Sequence, residues 1–217
     1  MAAFAKIAFT PSVKAAQSLY GSRASYAKIE HGDDAGSTLS LREAEFIQAR
    51  DSFYQATVSE TGWPYVQFRG GPAGFLQVLD TNTIGYADFR GNRQYLSVGN
   101  INADGRIALI LMDYPNRCRL KIWGRAKVIH ESDDPKLIAR LEMPAYRARV
   151  ERAVVIVVDA YDWNCPQHIT PRFSEAELAE WAAALQQELA DLKAENAQLK
   201  ADYSRSVVQD ALGHTPP

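Results

Sequence analysis

The sequence predicts a mainly β fold: a small antiparallel barrel with short helices and a helical C-terminal extension. Three observations predict it. Seven short segments rich in aromatic and β-branched residues follow one another between positions 53 and 163, separated by turn-forming residues. Helical periodicity interrupts them at most twice. From Ser174 onward the chain becomes a run rich in Leu, Glu and Ala, without Gly or Pro as far as Tyr203. An open sandwich fits the same strand spacing, but closure into a barrel removes exposed sheet edges.

Residues 1–39 read as irregular, because "GSRASYAKIEHGDDAGST" is rich in Gly, Ser and Asp. Ser40 and Glu43 then have the spacing of a capping box for the helix "LREAEFIQARD". Residues 1–52 thus form an N-terminal irregular segment ending in one capped helix. The strands follow as "FYQATVSE", "WPYVQFRG", "GFLQVLD", "TIGYADF", "RIALILMDY", "RLKIWGRAKVIH" and "RAVVIVVDAYDW". The run "AVVIVV" in the last suits a strand buried on both faces. From Arg117 to Lys127 basic residues alternate with apolar ones, which reads as the outer face of a strand. One helix is expected at about 92–103. A second is "DDPKLIARLE", with Asp133 or Asp134 as cap and Pro135 in the first turn, where its missing N–H costs little.

Residues 174–203 open with a second capping box, Ser174 with Glu177. Leu178, Leu185, Leu192 and Leu199 recur every seven residues. With these at d, the a positions are Ala182, Leu189, Asn196 and Tyr203, and Glu188 and Glu195 at g face Lys193 and Lys200 at e of a partner. A parallel homodimeric coiled coil fits this pattern; an amphipathic helix packed on its own barrel is the alternative. Residues 204–217 read as a flexible tail.

Composition narrows the function. With 47% hydrophobic and 23% charged residues, the 217-residue chain suits one compact domain with appendages. A net charge of −2 argues against a large nucleic-acid footprint, which needs a basic face. No apolar run approaches the roughly 20 residues that span a bilayer, and the start lacks a continuous apolar stretch of the secretory kind. Two cysteines are too few for a disulfide framework and fit a reducing compartment. The expectation is a cytoplasmic protein without nucleic-acid or membrane partners. Metal ligation is not expected either. His31, Asp33 and Asp34 lie in a Gly- and Asp-rich loop, and no Cys or His pair has zinc-ligand spacing. No Ser is set in a nucleophile elbow.

The segment with chemistry in it is "YADFRGNRQYLS", residues 86–97. Arg90, Asn92, Arg93 and Gln94 follow a strand, and a helix starting near Asn92 would offer free N–H groups and the positive end of its dipole. Two guanidiniums beside them would make a phosphate clamp. Only Gly91 supplies an unusual backbone turn, and no Walker-type or dinucleotide-fold glycine motif occurs. A solvated surface turn is the alternative. Its neighbours add Gln67, Arg69 and Gly70-Gly71-Pro72 on the preceding strand pair, and Arg119 on a later strand.

At these residues, from about Phe53 to Phe173, the sequence resembles the FMN-binding split-barrel proteins related to pyridoxamine 5′-phosphate oxidase. The resemblance implies a split, Greek-key β-barrel over residues 53–173. It also implies a homodimer with a flavin at each subunit interface. Tyr86 and Ala87 would end the strand before the phosphate turn, and Asn92, Arg93 and Gln94 would fall in that turn. Gln67, Phe68, Arg69, Gly70 and Gly71 would line the isoalloxazine ring, and Arg119 would meet the flavin at a polar contact. Arg69 or Arg119 near the pyrimidine edge would stabilise an anionic reduced flavin. The oxidase's basic turn reads Ser-Arg-Lys where this chain has Gly91, Asn92 and Arg93; Arg90 offers a replacement charge from a neighbouring position.

"DWNCPQHITPRF", residues 162–173, is similar to the closing signature of a flavin-nucleotide-binding subgroup of that family. Pro166 and Pro171 fix an extended segment there, placed to lay Trp163 and His168 over a flavin or across the dimer seam. A thiol in apolar surroundings is usually inert, which weighs against a catalytic Cys165. After Phe173 this chain carries a Leu- and Glu-rich helix where the oxidase carries a basic substrate-holding segment. The resemblance therefore implies an FMN-dependent oxidoreductase acting on a different small substrate, with a nicotinamide or protein electron donor. The other readings are a flavin-carrying redox sensor without turnover, or the same barrel holding deazaflavin or haem.

Overall fold

The computed structural model describes residues 3–30, 36–163 and 166–212, with side chains to residue 205. Two compact units divide it, Met1–Thr170 and Pro171–Pro217.

The first unit is built on one seven-stranded antiparallel sheet: β1 Ser52–Val58, β2 Pro64–Gly70, β3 Leu76–Asp80, β4 Thr83–Phe89, β5 Arg106–Asp113, β6 Cys118–Ile129 and β7 Val150–Trp163. The spatial order is β2-β1-β5-β6-β7-β4-β3. Hairpins β1–β2 and β3–β4 thus flank the meander β5–β6–β7, and the order leaves β2 and β3 as unjoined ends. The barrel is split rather than closed, as the family resemblance implies and unlike the full closure that edge removal alone favours.

Seven strands were expected and seven form, because alternation sends one set of side chains inward. On β6, Leu120, Ile122, Gly124 and Ala126 are buried while Arg125 and Lys127 are exposed. The basic stripe is the outer face of a strand, as its alternation predicts. β7 differs from expectation. Ala153 and Val154 are both buried, but Val157 is exposed, so the apolar run is two-faced only over its first half. The register of β6 on β7 shifts between Trp123 and Gly124. A Cβ on Gly124 would stand 2.4 Å from the Val157 carbonyl oxygen, so that close backbone approach admits no side chain.

Phe53, Phe75 and Tyr86 anchor the core. The two phenyl rings stack at 5.5 Å, and Tyr86 meets Phe53 edge-on at 5.3 Å. Tyr86 is fully buried, and its hydroxyl donates to Gln55 Oε1 at 2.5 Å. Burial pushes the Tyr86 phenol far above its ordinary value, so it stays a neutral donor.

The N-terminal residues correct the sequence expectation. Instead of irregular chain they form α1 Ala3–Ala8, α2 Pro11–Leu19 and α3 Arg23–Glu30. Thr10 Oγ1 accepts from the Val13 N–H at 3.4 Å and Pro11 starts α2, a cap signal readable in "FTPSV". Phe4 of α1 lies 5.3 Å from the Trp123 ring on β6, and Glu30 is buried between Lys14 and Arg23. Tertiary contact and an ion triad centred on buried Glu30 hold helices too short to persist alone. The loop holding His31, Asp33 and Asp34 lies outside the described residues.

α4 Leu41–Gln48 carries the predicted capping box: the Arg42 N–H donates to Ser40 Oγ, and the Ser40 N–H to Glu43 Oε2 at 3.0 Å. α5 spans Leu96–Ala103, and α6 Pro135–Leu141 is capped by Asp134, whose Oδ1 accepts from the Leu137 N–H at 2.9 Å.

The second unit is α7, Glu175–Leu212. Its capping box forms as predicted: the Glu177 N–H donates to Ser174 Oγ, and the Ser174 N–H to Glu177 Oε2 at 2.7 Å. Among the described residues, no helix is long and apolar enough to cross a membrane.

Candidate functional site

The turn leaving β4 departs from its sequence reading in an informative way. The helix begins at Leu96, not at Asn92. Gly91 sits in open space with an ordinary φ, and the left-handed residues are Arg93 (φ 66°) and Tyr95 (φ 55°). Each costs about 1 kcal/mol or more in a residue with a Cβ, and such strain gathers at functional segments. The Asn92 side chain explains part of the course: its Oδ1 accepts from the Gln94 N–H at 3.2 Å, closing an Asx turn. Left-handed Tyr95 then stops α5 from extending backwards. No side chain caps α5, so the first-turn N–H groups of Leu96, Ser97 and Val98 point outward with the positive end of the helix dipole.

Those N–H groups border a cavity of about 270 Å³. Its walls are Tyr65, Gln67 and Arg69 of β2, Asp88 and Phe89 of β4, the turn Gly91–Tyr95, the start of α5 and Glu151 of β7. β2 supplies alternate residues because Tyr65, Gln67 and Arg69 share its inward face, while Val66 and Phe68 share the exposed one. Gln67 is held by Ser97, whose hydroxyl donates to Gln67 Oε1 at 2.7 Å.

An ionic cluster forms the floor. Asp88 and Arg152 are register partners on β4 and β7. The Asp88 carboxylate accepts from Arg69 Nη1 at 2.7 Å and from Arg152 Nη1 at 3.3 Å. Burial pushes the Asp88 carboxyl above the ordinary aspartate value, although both guanidiniums draw it down. Arg152 also donates to Glu151 at 2.8 Å and lies 4.8 Å over the Tyr95 ring. Tyr95 joins the two layers: its hydroxyl accepts from Arg93 Nε at 3.2 Å and donates to Glu151 at 3.3 Å. Two buried donors, Arg69 Nε and Arg152 Nε, have no hydrogen-bond partner.

Of the residues singled out from sequence, Gln67, Arg69, Asn92, Arg93 and Gln94 converge on this cavity. Arg90 stands beside it, 3.6 Å from Glu151. Tyr86 and Ala87 are buried in the core, beneath rather than in the wall. Phe68 faces the other side of β2, and Gly70 and Gly71 lie past the wall; a Cβ on Gly71 would meet the Phe75 ring at 2.7 Å. Arg119 is opposite Met112 on β6, outside the cavity wall, and its Nε is buried without a partner.

Sequence reasoning missed Asp88, Tyr95, Glu151 and Arg152. The available signal was a lone aspartate inside an apolar strand, "YADF", which demands a buried cation, and "VERAVV" supplies one.

The closing motif is held at its start by α4. Trp163 packs against α4, its Nε1 donating to Glu43 at 2.6 Å, with Arg42 4.3 Å over the ring and Phe46 edge-on at 4.7 Å. His168 is exposed at positive φ. Asn164 and Cys165 lie outside the described residues. Burial raises the Glu43 carboxyl, but the hydrogen bonds from Ser40 and Trp163 prevail and hold it below its ordinary value. No group of three or more His, Cys, Asp and Glu residues that could hold a metal ion occurs among the described residues.

The family model described as pyridoxamine 5′-phosphate oxidase matches residues 42–164. No curated protein matches the chain. Among solved structures, HupZ of Group A Streptococcus is 16% identical with a TM-score of 0.47, over 62% of this chain and 99% of that one. General stress protein 26 of Bacillus anthracis is 15% identical with a TM-score of 0.43, over 60% and 92%. An FMN-binding protein of Syntrophomonas wolfei is 12% identical with a TM-score of 0.41, over 68% and 97%.

Proposed function

The chain belongs to the pyridoxamine 5′-phosphate oxidase family, and from that premise we propose that it is an FMN-binding flavoprotein, a cytoplasmic homodimeric oxidoreductase acting on a small substrate. The observation that carries the reading is the cavity at the head of α5. Free N–H groups of a helix start, Arg69 and Arg93 surround one small space. That donor set is the chemistry a phosphate monoester needs.

The residues present fit the phosphate-bearing end of such a cofactor. Arg93 carries no carboxylate partner among the described ion pairs and is exposed for contact. Asn92 and Gln94 add amide groups, and Gln67 is already oriented by Ser97. Asp88 fixes Arg69, so its guanidinium is presented rather than searched for. The cavity is smaller than the roughly 300–1,000 Å³ of enclosed small-molecule sites, which favours a ring held partly by a second subunit. Val66, Phe68 and Tyr54 form an exposed apolar face on β1 and β2 that a second copy would cover.

A bound flavin supplies hydride or electron transfer itself. The chain's own part would be to hold the phosphate with Arg69, Arg93 and the head of α5, and to orient the ring. The test is an absorption spectrum of the purified protein with the released small molecule identified by mass. Bound FMN that NADH or NADPH reduces, and an acceptor reoxidises with turnover, is expected. A flavin that is bound but never turns over would move the protein to the carrier class. A colourless protein that takes up no added FMN would end the reading.

A further inference from the structure

Within α7 the leucines of the heptad stripe are exposed. Leu178, Leu185, Leu189, Leu192 and Leu199 are 50%, 44%, 52%, 55% and 61% exposed. They lie on one stripe of a helix that, at 38 residues, is about 57 Å long. A stripe repeating every seven residues is a seam for another helix. A hollow bordered by Leu192, Lys193, Asn196 and Lys200 lies on it, where a facing side chain would insert.

We infer that α7 pairs with the α7 of a second copy of this chain as a parallel, in-register, two-stranded coiled coil. Charge selects the occupant. α7 carries eight acidic and three basic residues, which disfavours an anionic membrane or a nucleic acid on this face. Charge also selects the direction. In a parallel pair, Glu188 at g meets Lys193 at e of the partner helix, and Glu195 meets Lys200. In an antiparallel pair g faces g and e faces e, which sets glutamates against glutamates and lysines against lysines. The ion pair recorded within α7 joins Arg205 and Asp202 at 3.2 Å, leaving those four side chains outside any intrachain pair among the described residues. Asn196 fixes the register. At an a position it meets itself across a parallel in-register pair and hydrogen-bonds there, whereas a one-heptad shift sets the two amides against Leu189 and Tyr203.

This inference is independent of the flavin site, so it is tested on the full chain without added cofactor. In a background carrying Cys118→Ser and Cys165→Ser, Leu199→Cys places a thiol on the seam and Ala194→Cys places one on the opposite face. With oxidised glutathione, Leu199→Cys is expected to form a disulfide-linked dimer and Ala194→Cys to stay a single chain on a non-reducing gel. Equal linking at both positions, or none at Leu199→Cys, would overturn the pairing. Linking of Leu199→Cys only to an Ala182→Cys chain would overturn its direction. A second test mixes a chain carrying Glu188→Lys and Glu195→Lys with one carrying Lys193→Glu and Lys200→Glu, both also Leu199→Cys. Mixed disulfides are expected to exceed the statistical half in a redox buffer at low salt; a statistical mixture would contradict the predicted contacts.

Discussion

β4 and α7 carry apolar residues at similar density, yet they bury them in opposite ways. In β4, residues Ile84 to Asp88 are all buried, and even the aspartate is satisfied by two arginines from neighbouring strands. In α7 the leucine stripe is exposed throughout. The strand was shaped by tertiary contacts that the chain supplies itself. The helix was shaped by local propensity, with a capping box at its start and no Gly or Pro inside. Stability in the first unit therefore lies in packing and a buried ionic cluster. In the second it lies in the helix's own hydrogen bonds, its cap and its propensity.

The largest expected effect breaks the first half of that contrast. Phe53→Ala removes a ring stacked on Phe75 and should cost the barrel about 4 kcal/mol, read by urea unfolding on tryptophan fluorescence. A cost below about 1 kcal/mol would mean that this trio is not the anchor. Next comes Asp88→Asn, which leaves Arg69 and Arg152 buried with one charge fewer between them. About 3 kcal/mol should be lost, together with FMN affinity, because Arg69 is no longer fixed. Full retention of both would show that Asp88 is a bystander.

Smaller effects sharpen the comparison. Ser40→Ala should cost about 1 kcal/mol through the α4 cap. Glu43 gives this region a pH signature. Its folded value lies below the unfolded one, so its contribution is present above the ordinary glutamate range and is lost as pH falls through the folded value. Glu43→Gln should flatten that part of an acid titration followed by circular dichroism. Arg93→Gly should relieve a left-handed φ and raise stability by up to about 1 kcal/mol while weakening phosphate binding; loss of both would refute the strain. Leu192→Ala should be the mildest for the barrel, within about 0.5 kcal/mol, because its side chain is exposed in the single chain.

The strands and the capped helices were legible because their signals are local. Alternation wrote the inward face of β6, and Ser40 with Glu43 and Ser174 with Glu177 announced two helix starts. The turn after β4 was legible in composition but not in geometry. Its left-handed residues are Arg93 and Tyr95, types that disfavour that conformation, while the obvious Gly91 is not used for it. What holds them is tertiary: Glu151 on Tyr95, and Arg152 under its ring. Likewise Asp88 in "YADF" shows its meaning only once β7 sets Arg152 beside it. The N-terminal helices are legible only at the cap of α2, since the contact that fixes α1, Phe4 against Trp123, joins residues far apart in sequence.

In the proposed function the head of α5, with Arg69 and Arg93, binds the phosphate of a flavin nucleotide. The measurement that tests it most directly is a fluorescence titration of the flavin-free protein with FMN and, in parallel, with riboflavin, which lacks the phosphate. Tight binding of FMN is expected, with at least tenfold weaker binding of riboflavin (a difference of about 1.4 kcal/mol or more) and loss of that preference in Arg93→Ala. Equal affinity for the two ligands, or no binding of either, would contradict it.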